Sequence, residues 1–201
     1  MDINAALVKE LREKTGVGIM DCKKALAEAE GDIQRAIDYL RKKGIATAKK
    51  RGGRATSEGQ IASYIHGGGK IGVLVEVNCE TDFSAKTPDF SDFVRNIAMQ
   101  IAASAPLSID REGLPRDIVK KEREIYATQA RESGKPEKVI EKMTEGKLKK
   151  FYSEACLLEQ PYVKNPDITV QDLLNELIAK TGENIVIRRF VRYQLGESDE
   201  R

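Results

Sequence analysis

The side chains able to do chemistry are few and far apart. There is one histidine, His66, and three cysteines, Cys22, Cys79 and Cys156, with no C-x-x-C pair among them. General acid–base catalysis leans most often on histidine, and a single one leaves little choice of base. A Cys₃His zinc site would need these four residues to converge, yet no two stand at the close spacing of zinc ligands. No G-x-x-x-x-G-K-[ST] or G-x-G-x-x-G loop is present to cradle the phosphates of a nucleotide. The residues point away from an enzyme, from a bound cofactor or metal and from direct nucleotide binding.

One stretch stands apart from the rest. Glu76-Val77-Asn78-Cys79-Glu80-Thr81-Asp82-Phe83 closes an apolar strand and leaves it with a polar, an acidic and an aromatic residue in succession. Small polar residues suffice to turn a chain, so a carboxylate beside a large ring is more than a turn requires. Spacing leaves two readings open. In one, Thr81 or Asp82 caps the next helix and Phe83 tucks into the core. In the other, Phe83 is a probe that enters a partner's pocket while Asp82 fixes its approach.

A second stretch lies near the N-terminus: Leu7-Val8-Lys9-Glu10-Leu11-Arg12-Glu13-Lys14-Thr15-Gly16, then Gly18, then Met20-Asp21-Cys22-Lys23-Lys24-Ala25-Leu26. Together with Asn78-Cys79-Glu80-Thr81-Asp82-Phe83 it resembles the paired signatures of the elongation factor Ts family, and the resemblance runs through essentially the whole chain. The family pattern usually continues Val-Ala-Lys after the phenylalanine; this chain has Ser84-Ala85-Lys86. The resemblance implies a cytoplasmic, non-catalytic guanine nucleotide exchange factor that binds elongation factor Tu. It implies that Thr81, Asp82, Phe83 and Ser84 disturb the partner's Mg²⁺ and phosphate site. It also implies that Val17, Ile19 and Met20, in the turn after the first helix, and His66, in a Tyr-x-His-Gly element, touch the partner.

The elements that must carry these residues follow from periodicity. Leu7, Val8 and Leu11 make one helical stripe, and Cys22, Ala25, Leu26 and Ala29 a second at i, i+3, i+4, i+7. Ile33, Ala36, Ile37 and Leu40 make a third. Gly16 and Gly31 stop the first two helices, and Asp32 is placed to cap the third. Ile19 and Met20 either fill this bundle's core or stand exposed as adaptable contacts. Three stripes packed together predict a bundle shaped like ubiquitin-associated domains. Arg41, Lys42, Lys43, Lys49, Lys50, Arg51 and Arg54, interrupted by Gly44, Gly52 and Gly53, read as a basic linker. No aromatic residue is interleaved for base stacking, so RNA contact there is the lesser reading. A ribosome- or RNA-associated protein with steep salt dependence is the alternative function.

Beyond the linker, Ile61 to His66 and Lys70 to Cys79 flank Gly67-Gly68-Gly69 and predict a hairpin with one apolar face. Thr87-Pro88 opens a helix with Phe90, Phe93, Val94, Ile97, Ile101 and Ala105 along its buried stripe. Pro115 to about 157 reads as two antiparallel helices joined at Ser133-Gly134-Lys135-Pro136. An irregular crossing at 160–166 and a helix from about Thr169 follow. A last strand, Ile185 to Leu195, joins the hairpin as a third, leaving a frayed charged tail from Glu197. The expected fold is α+β: a three-helix module and linker at 1–54, then a core dimerisation-type domain at 55–201. That core is a three-stranded antiparallel sheet backed by helices, with a projecting helical hairpin at 115–157. The last strand either ends the sheet in a monomer or pairs with a second copy.

The composition is compatible with this. At 201 residues, a third charged and two-fifths hydrophobic, the chain is long enough for a small domain and a larger one. Its net charge of +2 does not mark a dedicated nucleic-acid binder. No apolar run approaches the roughly 20 residues that span a bilayer, and Met1-Asp2-Ile3-Asn4 does not open a secretory signal. Three widely spaced cysteines suit a reducing compartment with buried thiols.

Overall fold

The computed structural model describes residues 4–132, 134 and 136–197. Ser133 and Lys135 of the expected helix–helix turn, the first three residues and the tail beyond Glu197 lie outside the described residues. The chain folds as two compact units. The first comprises residues 1–62, 75–95 and 172–188, and the second residues 63–74, 96–171 and 189–201.

The first unit opens with three helices, α1 (Ala5–Thr15), α2 (Ile19–Glu28) and α3 (Ile33–Arg51). Asn4 caps α1, its side-chain oxygen accepting the Ala6 N–H at 2.9 Å, and Asp32 caps α3 through the Arg35 N–H at 2.8 Å. Gly16, at φ 68°, ends α1 in the left-handed conformation that glycine tolerates. Val8, Leu11, Cys22, Ala25, Leu26, Ala36 and Leu40 form the buried seam predicted from their spacing.

The third helix runs further than its sequence suggests. Residues 41–51, read as a linker, are its C-terminal half. Gly44 does not break it. It is buried, and a Cβ there would stand 3.3 Å from the Ala179 Cβ and 3.5 Å from the Asn175 carbonyl oxygen. Both belong to α8 (Val170–Thr181). The missing side chain lets two helices approach, a packing role that outweighs glycine's weak helix propensity. Arg41 seals the contact with an ion pair to Asp172 at 2.8 Å.

Three strands form the sheet: β1 (Glu58–His66), β2 (Ile71–Cys79) and β5 (Ile185–Gln194), in the order β1-β2-β5. The Leu195 N–H donates to the Lys70 carbonyl, and the Asn184 N–H donates to the Glu80 carboxylate. The end of β5 thus meets the start of β2, and its start meets β2's end, so the pair is antiparallel. Along β2, Val73, Val75, Val77 and Cys79 are buried and alternate with Leu74, Glu76 and Asn78, the pleat's two-residue period. The helix α5 (Pro88–Ser104) buries Phe90, Phe93, Val94, Ile97 and Ile101. Ala105, expected on that stripe, lies past the helix end at φ 43° and is exposed.

In the second unit α6 (Arg116–Arg131) and α7 (Glu137–Ala155) pack along each other. The expected irregular crossing is instead a two-stranded antiparallel ribbon, β3 (Pro161–Tyr162) and β4 (Asn165–Thr169). Its anchor is polar and was not legible in the sequence. Buried Gln100 donates to Gln160 Oε1 at 3.1 Å and to the Pro161 carbonyl at 3.2 Å, and accepts the Val163 N–H at 2.9 Å. These bonds satisfy backbone groups that prolines and a tight ribbon leave unmatched.

Gly59 of β1 sits at φ 148°, and a Cβ there would lie 2.1 Å from the Val77 carbonyl oxygen on β2. Gly59→Ala is expected to cost about 3 kcal/mol of folding stability, since both backbone and strand spacing must shift. Urea unfolding checks this, and a loss under about 1 kcal/mol would show that the strands can part there at little cost.

Candidate functional site

The candidate contact turn grows directly out of β2. After Cys79 points inward, the chain leaves the sheet through Glu80 and Thr81 and makes one helical turn, α4 (Asp82–Ala85). Thr81 is its N-cap, extended at φ −131°, with its hydroxyl oxygen accepting the Ser84 N–H at 3.3 Å. Thr87 then donates its hydroxyl to the Ser84 carbonyl at 2.7 Å and accepts the Phe90 N–H at 3.3 Å, so that α5 begins at once. A single turn has room for one inward pair. Ser84 and Ala85 take it, and Phe83 is left facing solvent, 81% exposed. The reading that Phe83 packs into the core is therefore overturned, while the capping half of that reading holds for Thr81.

Asp82 is held by its own helix. Its carboxylate accepts from Lys86 at 2.7 Å, and this contact keeps Asp82 below the usual carboxylate range. The pair is exposed, so it orients the carboxylate more than it stabilises the fold.

Beneath the turn is a junction of charged and polar groups. The Glu80 carboxylate accepts the Asn184 N–H at 2.6 Å and Arg54 at 3.2 Å, with Arg51 at 3.7 Å. The Asn184 N–H and the two arginines hold Glu80 below the usual carboxylate range. The Glu183 carboxylate takes both donors of Thr81, the N–H at 3.1 Å and the hydroxyl at 2.6 Å. The Asn184 side chain donates to the Arg54 carbonyl at 2.9 Å, and the Cys79 thiol to the Thr81 carbonyl at 3.2 Å. Burial, with the Glu183 charge adding to it, pushes the Cys79 thiol up, so it is a packed group and not a nucleophile. From the far side Gln60 holds the Ala85 carbonyl at 2.6 Å.

The other candidate residues lie elsewhere. Val17 packs half-buried against the helical module's core, and its carbonyl accepts the Cys22 thiol at 3.4 Å. Ile19 and Met20, at the start of α2, are 52% and 76% exposed, so they do not fill that core. Beside them an open groove of about 370 Å³ is lined by Ala5, Val8, Lys9, Arg12, Ile19 and Lys23. His66 belongs to the second unit, where it is exposed at the end of β1. Its Nδ1 lies 3.0 Å from the Tyr64 hydroxyl, with the two rings stacked. Cys22, Cys79 and Cys156 are all free and buried, and among the described residues no three His, Cys, Asp or Glu side chains gather. No described helix is long and apolar enough to cross a membrane.

A family model described as elongation factor TS matches residues 45–197. The chain belongs to the elongation factor Ts family. Elongation factor Ts of Moorella thermoacetica is 64% identical over 195 residues, covering 97% of this chain and 96% of the relative. That of Carboxydothermus hydrogenoformans is 62% identical over 195 residues, covering 97% of this chain and 90% of the relative. That of Geobacter metallireducens is 63% identical over 197 residues, covering 98% and 91%. Elongation factor Ts is the nucleotide exchange factor for elongation factor Tu in translation elongation, and it is not an enzyme.

Glu80, Glu183, Asn184 and Arg54 were not singled out as site residues from the sequence. Gly182 marks a helix end, but nothing in a linear reading pairs Glu183 with a threonine 102 residues away. Ser84 is 5% exposed, and its hydroxyl has no hydrogen-bond partner among the described residues. A buried unpaired hydroxyl costs about 1–3 kcal/mol. Ser84→Val is expected to raise stability by about 1 kcal/mol, lifting the melting midpoint by roughly 2–4 °C. A lower midpoint in a thermal scan would mean that the site cannot accept the extra methyl group.

Proposed function

We propose that this chain binds elongation factor Tu·GDP and speeds GDP release by placing Asp82 and Phe83 at the partner's Mg²⁺ and phosphate site. The observation that carries the reading is Phe83: a large ring left in solvent on a one-turn helix held at its start by Glu183 through Thr81 and at its end by Gln60 through the Ala85 carbonyl. Exposed aromatics on preorganised supports are the residues that anchor interfaces, because little ordering remains to be done on binding. Asp82, already ionised and aimed by Lys86, would exchange that partner for groups around the metal. Thr81 and Ser84 shape the turn from beneath. Mg²⁺ bridges protein and nucleotide phosphates, so displacing its supports weakens GDP. By linkage, a factor that weakens GDP is itself bound less tightly by the GDP complex. GTP then refills the site and the factor leaves, with no covalent step and no cofactor of its own. The work takes place in the cytoplasm, where elongation occurs.

The helical module would supply a second contact. Ile19 and Met20 offer apolar surface, Val17 supports the turn, and the groove beside them is rimmed by Lys9, Arg12 and Lys23. That combination suits an acidic, amphipathic surface on the partner. His66 is a further contact in this reading. The RNA alternative has less in its favour: Arg41, Lys43, Arg51 and Arg54 form ion pairs with Asp172, Asp21 and Glu80 within the chain.

We further propose that the chain self-associates through the outer face of its second unit. Ile65, Leu74, Tyr193 and Leu195 of that unit are all exposed, and large apolar side chains left in solvent are candidates for an interface. Sedimentation equilibrium should show a dimer for the wild type and a monomer for Leu195→Glu. A monomeric wild type at assay concentrations sinks this part alone.

The central test is release of a fluorescent GDP analogue from elongation factor Tu. Phe83→Ala is expected to slow the accelerated release at least ~10-fold while the complex still forms. Unchanged acceleration would make Phe83 a bystander, and no acceleration by the wild type would remove the exchange reading for this chain.

A further inference from the structure

The N-cap of α4 is held by more than a cap needs. An N-cap threonine ordinarily offers its own oxygen to the helix and leaves its N–H and hydroxyl proton to water. Here the Glu183 carboxylate takes both, at 3.1 Å and 2.6 Å. With its proton committed to Glu183, the Thr81 oxygen keeps its lone pairs for the Ser84 N–H. The arrangement is reciprocal. The Glu80 carboxylate takes the Asn184 N–H, and the Glu183 carboxylate takes the Thr81 N–H. Two short segments more than a hundred residues apart therefore cap one another. Glu183 is itself anchored, its N–H donating to the Thr181 hydroxyl at 3.3 Å.

We propose that Glu183 is a positioning residue for exchange, acting through Thr81 on the direction of Phe83. The inference rests on the reading of Phe83 given above. A single helical turn has almost no stability of its own, because nucleation fixes several dihedrals for one hydrogen bond. The direction of the Phe83 ring is thus inherited from the residue that starts the turn. Without Glu183, Thr81 still caps Ser84, but the hydroxyl and the peptide plane before α4 are free to rotate. The turn must then be ordered during the encounter. That ordering slows the exchange step and leaves the remaining contacts with elongation factor Tu in place, so the rate falls more than the affinity.

The test is a double-mutant cycle read by stopped-flow release of the same fluorescent GDP analogue, with the full chain at varied concentration. Glu183→Ala is expected to lower the release rate at saturation about 5-fold and to shift the half-saturating concentration less than about 2-fold. Glu183→Gln, which keeps one acceptor, should recover most of the rate. In the Phe83→Ala background, Glu183→Ala should slow release little further, since its effect runs through the missing ring. A merely structural glutamate would slow both backgrounds alike, and that result overturns the proposal. So does a wild-type rate for Glu183→Ala while Phe83→Ala is slow, an outcome that leaves the reading of Phe83 standing. If Phe83→Ala exchanges like the wild type, both fall together. Should Glu183→Ala melt below the assay temperature, Glu183→Gln replaces it in the cycle, with a slowing of about 2-fold expected only when the Phe83 ring is present.

Discussion

Two carboxylates, Glu80 and Glu183, bind the last residues of β2 to the turn that opens β5, each accepting a backbone N–H from the other's segment. Arg51 and Arg54 bring the end of α3 to the same point. Carboxylates suit this junction because each accepts from several donors at once, and hydrogen bonds to a charged acceptor are the stronger kind. The outcome is a base from which a single exposed turn, Asp82–Ala85, can keep one orientation.

The same junction changes the meaning of the basic stretch at 41–54. By composition it is a linker: cationic, glycine-interrupted and free of aromatic residues. In the fold it is largely a helix whose cations meet acids from other segments, Arg41 with Asp172 and Arg54 with Glu80. Gly44 becomes the point of closest approach between two helices. Charge along a sequence measures what is available; only its partners determine whether it is spent inside the protein or offered outside.

The second unit is built on a different constraint. Its ribbon at Pro161–Thr169 brings backbone groups inward, where Gln100 bonds to the Pro161 carbonyl, the Val163 N–H and the Gln160 side chain, and Gln160 in turn donates to the Ser104 and Glu154 carbonyls. Arg111 lies across Tyr152 and pairs with Glu159 at 2.5 Å and 2.6 Å, closing the end of α7. Apolar periodicity explains why these helices exist. Polar pairs explain why they end where they do.

What the linear sequence settled was set by local rules. The period of 3.6 placed α1, α2 and α5, the period of 2 placed β2, and Gly16, Asp32, Thr87-Pro88 and Gly182 marked ends because their backbone chemistry acts within a few residues. The motif through Phe83 carried the family. Tertiary structure alone decided whether Phe83, Ile19 and Met20 were core or surface, since an apolar side chain has the same local pattern either way. It alone paired Glu183 with Thr81, Asn184 with Glu80 and Gly44 with Ala179, because hydrogen bonding and close approach across a hundred residues leave no periodic trace. Local sequence made the turn; a distant carboxylate accepts both donors of its cap.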